Sequence, residues 1–82
     1  MPGNEVIAVI QKVCLNGRHG PYVIATAEGL SGSITFSLES SVWKEDERPE
    51  LGEFVVLSKL RKKRAGWKAM SGRRFCLDDE KT

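Results

Sequence analysis

From Leu30 to Leu38 the stretch "LSGSITFSL" alternates without a slip. Leu30, Gly32, Ile34, Phe36 and Leu38 fall on one face, and Ser31, Ser33, Thr35 and Ser37 on the other. A period of two is the mark of a half-buried strand. Upstream, "VIAVIQKVCL" (Val6–Leu15) is rich in β-branched residues and free of Gly and Pro. "YVIATA" (Tyr22–Ala27) is a second apolar run, set off from the first by the turn-forming "NGRHGP". Downstream, "GEFVVLSKL" (Gly52–Leu60) and "GWKAMSGRRFCL" (Gly66–Leu77) supply a fourth and a fifth strand, the last weakened by Gly72. Phe36 and Phe54 share faces with Ile34 and Val56 and are expected in the core.

Between the third and fourth strands lies "ESSVWKEDERPE" (Glu39–Glu50). Ser40 or Ser41 can cap a helical turn there, and Pro49 keeps it short. Trp43, between Val42 and the acidic residues that follow, is expected to plug one end of the core. The order is three strands, a short helix or irregular link, then two strands. In a flat sheet such short strands leave exposed edges, and closing the sheet into a barrel removes them. The expectation is an all-β chain, one domain over residues 1–82, with an ordered core of about 4–77 and a flexible tail at 78–82. A small five-stranded OB-fold barrel, the oligonucleotide-binding type, has this order. An SH3-like barrel is the alternative, and it needs a longer early loop than "NGRHGP" provides.

Charge adds what the pattern does not show. Residues 1–57 carry four bases and eight acids, residues 58–75 eight bases and no acid, and residues 77–82 one base and three acids. The formal charge of +2 is therefore −4, +8 and −2 laid end to end. Six of the bases, Lys59, Arg61, Lys62, Lys63, Arg64 and Lys68, surround the expected turn between strands four and five. Arg73 and Arg74 extend the positive surface along strand five. Bases with an interleaved aromatic suit a phosphate backbone with a ring stacked on a base. A solvated hairpin tip and an acidic protein partner are the competing explanations. Trp67 is either a stacking platform or a core residue beside Ala69. The acidic "EDERPE" either repels nucleic acid from the far side or is a solvated loop.

The second half of the chain resembles the last two strands of cold-shock domains. The matching residues are Glu50, Gly52, Val55, Val56, Gly66 and Ala69, an acidic-Gly lead-in and a Gly-x-x-Ala step. The first half is more similar to the related S1 domains, through "HGPYVIA" and "LSGSITFSL". That resemblance implies nucleic-acid-facing roles for His19, Tyr22 and Thr35. The basic-aromatic "KGFGF"-type and "FVH" motifs of cold-shock proteins are missing, and Thr35 stands where S1 domains have a histidine.

Other chemistries find little material. One histidine, two cysteines (Cys14 and Cys76) and no Gly-rich phosphate loop argue against an enzyme, a zinc site or any cofactor. The two thiols are expected to be reduced, since no signal peptide is recognised, and the chain to be cytoplasmic. Apolar runs of four to five residues do not span a membrane. The expectation is a module for single-stranded RNA or DNA, RNA slightly ahead, with low sequence specificity. The alternative is a protein-interaction module that docks its basic hairpin on an acidic partner. Free strand edges add the possibility of a weak homodimer instead of a monomer.

Overall fold

The computed structural model describes residues 5–18 and 20–75. The expectations for His19, Cys76 and the tail at 78–82 lie outside the described residues. Five strands form: β1 (Val6–Cys14), β2 (Tyr22–Ala27), β3 (Ser33–Ser37), β4 (Phe54–Lys63) and β5 (Gly66–Arg74). They close into a barrel in the order β1-β2-β3-β5-β4, with β4 returning to β1. Every pair is antiparallel except β3–β5. This is the expected all-β barrel of OB-fold-like order, closed so that no flat sheet edge is left over. The link between β3 and β4 is irregular, with no helix among the described residues.

The inner faces of all five strands meet in one core. Ile10, Val23, Ile34, Phe36, Val55 and Leu57 are its largest fully buried side chains, and no polar side chain is buried among the described residues. Phe36 is core as expected. Phe54 is not. In β4 the inward positions are Val55 and Leu57, so Phe54 turns outward and is half exposed. Four apolar residues in a row made its face ambiguous in sequence.

Trp43 plugs one end of the barrel, 4% exposed and stacked on Phe36 with centroids 5.7 Å apart. Its indole Nε1–H donates to the Glu47 carbonyl at 2.7 Å. Gly72 makes room for it: a Cβ there would lie 2.8 Å from Leu57 Cδ2 and 3.4 Å from the Trp43 ring. The Gly72 N–H donates to the Val42 carbonyl, and the Lys44 N–H to the Gly72 carbonyl, both at 2.9 Å. The glycine that weakened strand five on paper is the clamp that holds the link to the barrel.

Several strand boundaries differ from the sequence pattern, three of them by three residues. β3 begins at Ser33 and not Leu30, because Gly29 and Gly32 both take positive φ. β4 runs on through Lys63, three residues past Leu60, so Arg61, Lys62 and Lys63 belong to a strand and only Arg64 and Ala65 form the turn. β5 ends at Arg74, although the Phe75 N–H still reaches the Phe54 carbonyl at 3.2 Å.

Two irregularities reset which side chains face out. Between Ile10 and Lys12 the β1–β2 register shifts, leaving Gln11 as an extra residue. Such a bulge bends its strand and reverses the alternation beyond it. In β4, Lys59 has φ of 57°, a conformation that costs a non-glycine residue roughly 1–2 kcal/mol. Beyond it the partly buried position is Leu60, which packs on the core three residues after Leu57. The hairpin partner follows suit, with Ala69 and Gly72 both buried in β5.

Candidate nucleic-acid interface

Cross-strand partners in a barrel point to the same side. On the outer surface this rule assembles a row from all five strands: Lys12 pairs with Ile24, Ile24 with Thr35, Thr35 with Lys68, and Lys68 with Arg61. A shorter row, Cys14–Tyr22–Ser37, lies beside it. Over β2, β3 and β5 these rows border a groove of about 560 Å³. Gly20, Pro21 and Tyr22 line it on one side, Thr35 and Ser37 form its floor, and Lys68, Met70 and Lys63 line the other. Glu39 and Ser41 of the link close one end.

Tyr22 is held from behind. A Cβ on Gly17 would meet its ring carbons at 2.9 Å, so the ring rests against the Gly17 backbone and only glycine fits there. Cys14 is its cross-strand partner, and the neighbouring thiol, with some desolvation, raises the phenol above its ordinary pKa of 10.0. The ring is therefore neutral throughout the physiological range. Thr35 is half-buried, its hydroxyl 3.4 Å from the Trp67 carbonyl.

The β4–β5 hairpin stands at the rim of this groove. Gly66 allows the close approach: at φ 142° it pairs with both Lys63 and Ser33, and a Cβ would lie 2.5 Å from the Ser33 carbonyl oxygen. Alternation divides the bases of the hairpin between two sides. Arg61, Lys63 and Lys68 share the groove side, whereas Lys62 pairs with Trp67 and places its Nζ 5.1 Å from that ring's centroid. Lys59 and Arg64 are exposed at the kink and at the tip.

Trp67 therefore has a different job from Tyr22. It packs half-buried on the core, outside the groove lining, and its Nε1–H donates to the Ser31 carbonyl at 3.1 Å. The indole fastens the hairpin to the turn before β3. The ring therefore lies between the two readings of this residue, packed on the core and covered by Lys62.

Arg73 and Arg74 also lie away from the groove. Arg73 points outward beside Val56 and pairs loosely with Glu5 at 3.8 Å. Arg74 sits by the Trp43 plug, its guanidinium 5.9 Å from that ring's centroid, with Nε on the Glu53 carboxylate and Nη2 on the Arg48 carbonyl at 3.0 Å. The Arg74 hydrogen bond holds the Glu53 carboxyl below its usual pKa. A side chain so engaged belongs to the barrel's closure, not to a free phosphate-binding surface. Among the described residues these are the only members of the basic run in an ion pair.

Sequence reasoning missed Lys12, Ser37, Glu39 and Met70. Lys12 had no usable signal, because strict alternation from Ala8 and Ile10 points it inward and only the bulge turns it out. Among the described residues no three His, Cys, Asp or Glu side chains gather as a metal site. Comparison with family models, with curated proteins and with solved structures finds no match.

Proposed function

We propose that the chain binds single-stranded nucleic acid in the groove over β2, β3 and β5. One observation carries the reading: Tyr22, Thr35, Lys63 and Lys68, far apart in sequence, line the same groove. Barrels of this strand order use the β2–β3 face and the flanking loops for oligonucleotides. Phosphates lie along Lys68, Lys63 and Arg61, with Lys12 at the far end of the row. A base stacks on the Tyr22 ring, whose Cδ1–Cε1 edge is held against Gly17. Glu39 repels phosphate from its end of the groove and so sets the direction in which the backbone leaves. Backbone contacts and a single stacking ring give little sequence discrimination.

The test is a titration of labelled poly(U), poly(dT) and duplex DNA at two salt concentrations. Single strands are expected to bind and duplex to bind much more weakly. Engaging about four phosphates gives a slope of log affinity against log salt near −3, at roughly −0.7 per phosphate neutralised. Salt-sensitive binding to an acidic polypeptide with none to either single strand would replace this reading with that of a protein-docking hairpin.

A further inference from the structure

The charged side chains that line the groove over β2, β3 and β5 are Lys63, Lys68 and Glu39. Glu39 is the exception in sign, the one acid among the described lining residues. A carboxylate is a liability in a groove that meets phosphate alone, since like charges repel. This one is exposed and forms no ion pair among the described residues. It carries two acceptor oxygens and no donor, so it suits a ligand edge rich in N–H groups.

The main chain of Glu39 is fixed next to the stacking ring. Tyr22 pairs across the strands with Ser37, and the Ser37 hydroxyl oxygen accepts the Glu39 N–H at 3.0 Å. The Leu38 N–H reaches the Pro21 carbonyl at 3.2 Å, so the chain entering Glu39 runs alongside the residue before Tyr22. On its other side, the Glu39 carbonyl accepts the N–H groups of Val42 and Trp43 at 2.9 and 2.8 Å. Trp43 is the buried plug of the barrel. A residue anchored on both sides presents its side chain from one defined place, as the reading of a base requires.

Hydrogen-bond chemistry then selects the base. In a single strand the Watson–Crick edge is free for contact. Guanine alone offers two adjacent donors there, N1–H and the N2 amino group, and one carboxylate can accept both. Adenine and cytosine place a ring-nitrogen acceptor beside their amino group, and uracil flanks its N3–H with two carbonyl oxygens. Each of these sets an acceptor against a carboxylate oxygen. Resting on the groove reading above, we infer that the base stacked on Tyr22 is guanine, held at its Watson–Crick edge by the Glu39 carboxylate. The ligand class is then a single strand with guanine at one position, while the phosphate contacts elsewhere stay indifferent to sequence.

Fluorescence anisotropy with oligo(U) of about ten nucleotides, carrying one central G, A, C or inosine, tests this. The guanine strand is expected to bind about tenfold more tightly than oligo(U) alone, within the range of a bidentate base contact. The A and C strands should match oligo(U), and inosine, which lacks the N2 amino group, should lose most of the gain. Glu39→Gln should erase the guanine preference and bind oligo(U) more tightly, because a charge that repels phosphate is gone. Equal affinity for all the strands overturns the inference. So does a preference for A or C, full retention of the gain by inosine, or a guanine preference that survives Glu39→Gln. A Glu39-dependent preference for RNA over DNA without any base preference puts the carboxylate on a 2′-hydroxyl and overturns it too. In all of these cases oligo(U) still binds and the groove reading stands, whereas no binding to any strand ends both.

Discussion

Glu53 and Arg74 show how a polar contact at the barrel end sets a pH dependence. Glu53 is held below its ordinary pKa chiefly by the hydrogen bond from Arg74, so the folded chain binds that proton less readily than the unfolded chain. The stability it contributes is complete above the ordinary glutamate value of about 4.3 and is lost as pH falls through the lowered folded value. Glu53→Gln should therefore give a shallower acid limb in thermal melts recorded from neutral pH downward, and an unchanged limb would show that the pair does not act in this way. At this scale the sequence was legible where the environment left one choice. Phe36 sits in strict alternation and is core, whereas Phe54 sits in a continuous apolar run whose face only the pairing with β1 decides. Tyr22 could be singled out in sequence, but its support from Gly17 could not, because that contact depends on how the intervening loop folds back.

At the level of the elements, the β4–β5 hairpin carries most of the basic run. All five strands were visible in the turn residues and the period-two pattern. Several of their ends were not, because positive-φ residues such as Gly32 and Lys59 act through backbone geometry that composition does not reveal. That geometry divides the basic run into sides with different expected effects. Arg61→Glu with Lys63→Glu, on the groove side, should weaken single-strand binding to every sequence alike and flatten the salt slope, since such contacts position the strand and do not read its bases. Lys62→Glu, on the Trp67 side, should cost far less affinity. Equal losses from the two, measured by the same fluorescence titration at equal protein stability, would mean that charge near the hairpin matters and its side does not.

The whole molecule is a barrel with two unlike walls. One wall carries a groove between Tyr22 and bases that form no ion pair among the described residues, and the other the half-exposed Ile7 and Phe54. The segregation of charge along the chain pointed to the first wall before any fold was known. The second wall was hidden, because Ile7 and Phe54 look like core residues until the barrel assigns each strand its inward side. The most direct measurement of the central claim is a map of backbone amide shifts in the ¹⁵N-labelled protein as a short oligo(U) is added. The account predicts shifts concentrated at Tyr22, Thr35, Ser37, Lys63, Lys68 and Met70, with Ile7, Val9 and Phe54 nearly silent. Shifts centred on the β1–β4 face, or none at low salt and high oligonucleotide concentration, would contradict it.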